Sequence, residues 1–292
     1  MSDTTYTTLL THPGSAHKDD LLACCVLLAA NPVPIERREP TPADIANPKI
    51  AVIDVGDSHD PERGNFDHHQ FPRDTPPTCA LSLVLKHLGL YEDAKAFCEW
   101  LEPAEWFDCR GPNHTAKWLG VERDIIGKLN SPVDMTLLRR FAAANLHQPG
   151  EPIWEMMRLV GLDLVDYLTS TRARIDAIDT VHQLWKIATP EGGSLDFIFI
   201  PRADPQIDDP SAGLGHFLRE KGIDATTAGT IYPDRRNTGY GISRYNDHPA
   251  LDFTQIESEP DVHFAHKSGF VAKTTASDPE RLKVLAQQGI KR

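Results

Sequence analysis

The stretch Tyr6-Thr7-Thr8-Leu9-Leu10-Thr11, followed at once by His12-Pro13-Gly14-Ser15-Ala16-His17-Lys18-Asp19-Asp20, decides how this chain folds. Residues 6–11 are apolar and β-branched and read as a buried strand, which Pro13 and Gly14 stop. Residues 21–30 then have the length and composition of a helix packed on a sheet. Short β-branched runs at 33–37 and 50–55, each flanked by Pro or Gly, predict further strands. Strand, polar loop, helix and strand begin an α/β fold with a mostly parallel sheet.

Working outward, the pattern predicts helices near 78–89, 91–106, 121–129 and 134–146, interrupted at Gly89, Gly111-Pro112, Gly120 and Pro132. Pro149-Gly150-Glu151-Pro152 punctuates the middle of the chain and closes a first domain, 1–150. Trp154, Met157, Val160, Leu164, Leu168, Ile175, Ile178, Val181 and Trp185 recur at steps of three or four, predicting one long helix over 153–188. That helix serves as a connector at 151–189. A smaller C-terminal α/β domain, 190–292, follows, with strands at 195–201, 227–232, 239–245 and 262–265 and helices near 212–221 and 278–288. A length of 292 residues suits two domains.

Composition narrows the function classes. A hydrophobic content of 40% excludes wholesale disorder, and no apolar run reaches the ~18 residues of a membrane span. The longest run is preceded by Lys18, Asp19 and Asp20 rather than by a basic region, so it does not read as a secretory signal. The five cysteines are odd in number and none forms a CxxC pair, which points to a reducing cytoplasm without disulfides or a zinc knot. A net charge of −12 argues against a large basic groove for nucleic acid. It leaves room for a short phosphate substrate bridged by metal.

Four clusters carry the chemistry: His12, His17, Asp19 and Asp20 after the first strand; Asp54 at the end of another; Asp67-His68-His69; and Asp108 before Cys109-Arg110-Gly111-Pro112. Singly, each has an ordinary explanation as a cap, a turn or a satisfied surface residue, and Asp20 reads as a favourable charge at a helix N-terminus. Together they mix imidazole with carboxylate, a donor set that suits manganese, iron, cobalt or zinc better than calcium. Several carboxylates converging on one spot repel one another unless cations neutralise them, and a pair of metals would meet that need.

These residues also resemble a known family. Thr11-His12-x-Gly14-x-x-His17-x-Asp19-Asp20, Val52-Ile53-Asp54-Val55-Gly56, Asp60-Pro61-Glu62-Arg63, Phe66-Asp67-His68-His69-Gln70, Ile231-Tyr232-Pro233-Asp234 and Val262-His263-Phe264-Ala265-His266-Lys267-Ser268-Gly269-Phe270 together resemble the Myg (melanocyte proliferating gene) family of the DHH phosphoesterase superfamily. The resemblance implies a DHH-type catalytic domain at 1–150 and a substrate-binding domain at 190–292. It further implies a dinuclear manganese centre between them, with Mg2+, Co2+ or Zn2+ as alternatives, and hinging about the connecting helix. The activity it implies is that of a metal-dependent hydrolase, a phosphodiesterase resembling 3′→5′ RNA exonucleases.

Residue by residue, the resemblance makes His12, His17, Asp19, Asp54, His68 and Asp108 metal ligands, with Asp54 bridging. It casts Asp67 as the carboxylate that orients His68, and His69 as a phosphate contact. His266, Lys267, Ser268 and Gly269 become the substrate clamp; Arg235, Arg236 and Arg244 read equally as further contacts or as a solvated basic loop. The chain departs from the family in three places: His17 stands where Asp is usual, Asp108 lacks the usual Asp-x-x-Asp-x-Gly setting, and Val271-Ala272-Lys273 replaces a glycine pair. The partner expected is a phosphate-containing substrate, a short RNA or a dinucleotide, with no membrane and with a homodimer left open. The alternatives are a phosphoesterase for a small molecule such as pyrophosphate, and a non-enzymatic nucleotide-binding relative.

Overall fold

The computed structural model describes residues 5–128, 131–236 and 238–291. It divides between Thr169 and Ser170 into two compact units.

The first unit is built on a six-stranded sheet of β1 (Thr8–Thr11), β2 (Ile35–Arg37), β3 (Ile50–Ile53), β4 (His59–Asp60), β5 (Asn65–Phe66) and β6 (Leu146–His147), ordered β4-β5-β3-β1-β2-β6. The pairs β1–β2, β1–β3 and β3–β5 are parallel, whereas β4 and β6 pair antiparallel at the two edges. The mixed α/β class with a parallel-rich sheet is therefore as the sequence predicts. Helix α1 (Lys18–Ala30) buries Leu21, Ala23, Cys24, Cys25, Val26, Leu27 and Leu28. Such burial around much of the circumference needs cover from several neighbours. Cover comes from the sheet, from α3 (Ala80–His87) and from α8 (Pro152–Val181). At Gly161 of α8 a Cβ would collide with the Cys25 carbonyl, so the two helix backbones meet directly there.

Around this frame lie α2 (Pro42–Ala46), α4 (Tyr91–Phe97), α5 (Leu101–Leu119), α6 (Arg123–Lys128) and α7 (Pro132–Ala142). The expected helix at 121–129 is present as α6, and residue 129 lies outside the described residues. The break expected at Gly111-Pro112 is a kink within α5: Gly111 has φ 72°, and Pro112 follows where a new helical turn starts without needing its N–H.

The second unit carries β7 (Gln183–Ala188), β8 (Ser194–Phe199), β9 (Thr227–Pro233), β10 (Tyr240–Arg244), β11 (Val262–Ala265) and β12 (Val271–Thr274), with α9 (Pro210–Glu220) and α10 (Pro279–Gln288). The order is β11-β12-β10-β9-β8-β7, antiparallel except for β8–β9. Its core gathers Phe197, Phe199, Ile231, Ile242, Phe253 and Leu285. The single helix expected over 153–188 is corrected here: α8 ends at Val181, and 183–188 is a strand. Trp185 and Ile187 point inward at a spacing of two while Leu184 and Lys186 face outward, a strand alternation.

Candidate metal centre

The strands β5, β3 and β1 are adjacent and parallel, so their C-terminal ends emerge side by side. Neighbouring strands lie ~4.8 Å apart, which places the residues just beyond them, Asp67-His68-His69, Asp54 and His12, within reach of one another. This is the edge of an open α/β sheet where ligands bind. Asp54 leaves the sheet with φ 58°, a left-handed conformation that Asp tolerates better than most residues.

Helix α1 supplies the next group. Asp20, its third residue, accepts hydrogen bonds from the amides of His17 (2.8 Å) and Leu21 (2.8 Å). It is thus the helix-start charge that the sequence suggests, and its Oδ2 also lies 3.3 Å from His12 Nε2. Arg37, at 1% exposure, reaches beneath the 12–17 loop and donates to the carbonyls of Gly14, Ser15 and Phe141. The first half of α5 brings in Asp108 and Cys109 just before the kink.

The contacts converge. His68 Nε2 lies 3.1 Å from Asp54 Oδ1 and 3.1 Å from Asp108 Oδ2. His12 Nε2 lies 3.6 Å from Asp54 Oδ2, and His17 Nδ1 lies 4.0 Å from Asp108 Oδ1. Among the described residues, four overlapping groups have donor atoms mutually within 4.8 Å: His12/His17/Asp54, Asp54/His68/His69, His68/Asp108/Cys109 and His17/Asp19/Asp108. Asp54, His17, His68 and Asp108 each belong to two of them, so the groups form a closed ring.

The residues fit a cation. His12 Nε2, Asp19 Oδ1, Asp20 Oδ2, Asp54 Oδ1 and His68 Nε2 are buried and make no well-directed hydrogen bond, although the imidazoles approach the carboxylates at 3.1–3.6 Å. Poorly satisfied buried polar atoms are costly, and these five belong to a single cluster. Electrostatics agree: burial, reinforced by the neighbouring carboxylates, pushes Asp19 well above the usual carboxylate range. Burial also raises Asp54, where His68 opposes the shift and Asp108 adds to it. Beside Asp20, His12 rises to about 9. For His68 burial opposes the charged form, but Asp108 and Asp54 outweigh it and carry the imidazole to about 12. A divalent cation bound among these groups would displace protons and neutralise the carboxylates.

The second histidine of the pair is held differently, which corrects the role expected for Asp67. Its Oδ1 accepts from His69, at Nδ1 (2.7 Å) and at the backbone amide (3.1 Å), and its Oδ2 accepts from the Asp57 amide (2.7 Å). Asp67 therefore orients His69 and not His68. Burial works against its charge, yet these hydrogen bonds keep its carboxyl below the usual range. His68 Nδ1 instead faces Cys109 Sγ at 3.9 Å. Sequence reasoning placed Asp20 in the first cluster as a helix-start charge, and missed Cys109 and Arg37 as parts of the site. The spacing of Asp108-Cys109 was the available signal for the first, and nothing in the sequence marks Arg37.

In the second unit, His266, Lys267, Ser268 and Gly269 form the turn of the β11–β12 hairpin. Gly269 has φ 67°, and its amide donates to the His266 carbonyl (2.7 Å) while the Ser268 amide donates to His266 Nδ1 (3.1 Å). Lys267 is exposed. Arg235 pairs with Asp209 (3.1 Å) and Arg244 with Asp247 (2.8 Å). The segment Val271-Ala272-Lys273 lies in β12, where Lys273 reaches Asp234 at 3.0 Å.

Residues 8–89 match the family model MYG1_exonuc, described as an uncharacterised protein family (UPF0160). The Myg resemblance stands over that stretch. The match takes in His12, His17, Asp19, Asp54, Asp67, His68 and His69, and leaves Asp108 and the β11–β12 hairpin outside. No curated protein matches the chain. A solved structure titled as a member of the s1p family of ribosomal proteins with a DHH domain is 12% identical, covering 98% of this chain and 88% of its own, with a TM-score of 0.34.

Proposed function

We propose that this Myg-type chain is a manganese-dependent phosphoesterase using two metal ions to hydrolyse phosphodiester bonds. The observation that supports it is the ring of shared donors around Asp54, His17, His68 and Asp108 with its buried atoms that lack a well-directed hydrogen bond. His12, His17, Asp19, Asp54, His68 and Asp108 would hold the ions. Bound there, divalent cations supply an activated water and neutralise charge on phosphate oxygens. The chain's own groups do the rest. Asp67 fixes the His69 ring through Nδ1, leaving Nε2 to hold a phosphate oxygen or pass a proton to the departing one. In the balance, water oxygen bonds to phosphorus, the ester P–O bond breaks, and one water proton ends on the leaving oxygen. The family model's name, MYG1_exonuc, supports a nucleic-acid phosphodiester, RNA being the substrate that the Myg resemblance implies, and the hairpin His266-Lys267-Ser268-Gly269 would be the clamp.

A second reading, a small phosphate substrate, is favoured by the net charge of −12. The test begins with elemental analysis of untagged protein, expected to find manganese at two ions per chain, followed by hydrolysis of bis(p-nitrophenyl) phosphate. Asp54→Asn and His68→Ala should each abolish metal retention and lower turnover by at least ~100-fold. Full activity in both variants would refute the assignment.

A further inference from the structure

Two clefts open on either side of the metal cluster and share His17 and His69. The first, about 290 Å³, is walled by the proline-rich segment 71–78 and holds Arg73 and Arg110 with a single carboxylate, the cluster's Asp108. The second, about 650 Å³, contains no arginine or lysine and is lined by Glu39, Asp54, Asp57 and Asp67. In a chain this acidic, a pair of guanidinium groups confined to one side gives the site a polarity. Arg110 donates to the Thr75 carbonyl (2.7 Å), which fixes its stem against the cleft wall and leaves other N–H groups of its fork for a ligand. Pro72, Pro76 and Pro77 stiffen that wall, so little ordering entropy is lost on binding.

We propose that the arginine cleft is a second phosphate subsite. Arg73 and Arg110 take the phosphate adjacent to the one being cleaved, so the substrate class carries two successive phosphates, joined either by an anhydride or through one sugar. The acidic cleft repels such a group and accepts the uncharged side of the substrate. This assignment rests on the phosphoesterase reading for its catalytic meaning, and it is tested independently of that reading.

The probes are methylenediphosphonate and inorganic phosphate, titrated calorimetrically into manganese-loaded protein. The diphosphonate should bind about tenfold more tightly, the worth of one charge-assisted hydrogen bond. Arg73→Gln should remove that preference while leaving inorganic phosphate binding unchanged. Among the described residues Arg73 makes no hydrogen bond like that of Arg110 with Thr75, which makes it the first variant; Arg110→Gln is the second. Equal affinity for both probes in the wild type, or equal weakening of both in Arg73→Gln, would overturn the subsite.

Comparing pyrophosphate with a 5′-phosphorylated dinucleotide separates the two sources, because KM rises in the variant only for the one that uses the cleft. Turnover of bis(p-nitrophenyl) phosphate, which has a single phosphate, should survive in Arg73→Gln. Should the wild type leave that ester intact yet keep the diphosphonate preference, the phosphoesterase reading fails and the subsite stands.

Discussion

Arg37 joins three carbonyls and lies 3.8 Å from the Asp20 carboxylate at almost complete burial. Replacing it by Met keeps the stem but strands Asp20 and those carbonyls without a cation. Removing one partner of a buried charged pair costs ~3–5 kcal/mol. Arg37→Met should therefore lower unfolding stability in urea by about 3 kcal/mol and reduce metal retention, because the loop bearing His12 and His17 loses its floor. Arg37→Lys should fall between the two, since an ammonium cannot reproduce the planar fork. At this scale the sequence was informative about donor types and poor about partners. His12, Asp54 and Asp108 announce themselves by chemistry and position, but which imidazole Asp67 would hold is decided by rotamers. Adjacent residues 68 and 69 differ in that respect only once the turn is folded.

The close approach of α8 to α1 at Gly161 gives the sharpest expectation among the elements. Gly161→Val forces the helices apart against the Cys25 carbonyl, and overpacking of this kind costs ~1–3 kcal/mol. Denaturant unfolding followed by circular dichroism should show that loss. In the second unit, α10 is tied to the segment before β11: Arg281 donates to Asp261 at 2.6 and 2.8 Å and to Glu259 at 2.7 Å. Hydrogen bonds from Arg281 hold the Asp261 carboxyl below its ordinary range, while burial opposes them. The unfolded chain then binds more protons than the folded one, so this contribution is present above about pH 4 and fades as pH falls through the folded value. Thermal melting between about pH 5 and 2 should decline less steeply in Arg281→Gln than in the wild type.

Element types were legible where the segment was long: α1 by its length and apolar composition, and α9 and α10 close to the bounds expected. The two-residue strands β4, β5 and β6 are too short to show a period. Strand β7 escaped because Val181 and Trp185 are four apart and so continue a helical stripe across the boundary at His182.

For the molecule as a whole, a net charge of −12 disfavours a long polyanion as substrate. With that charge, and with arginine lining the smaller of the two clefts but not the larger, a longer oligoribonucleotide is expected to gain no extra backbone contact there. KM for oligoribonucleotides should stay within about threefold from two to ten nucleotides and respond weakly to salt; a steep fall in KM with length would reveal a basic track elsewhere. Among the described residues no helix is long and apolar enough to cross a membrane.

The backbone of Asp54 adds a practical dividend. Its left-handed conformation admits Asn about as readily as Asp, so an amide at this position silences the charge without bending the polypeptide. The Asp54→Asn chain therefore separates loss of the cation from loss of the fold: its circular dichroism and melting should match the wild type while its manganese content falls.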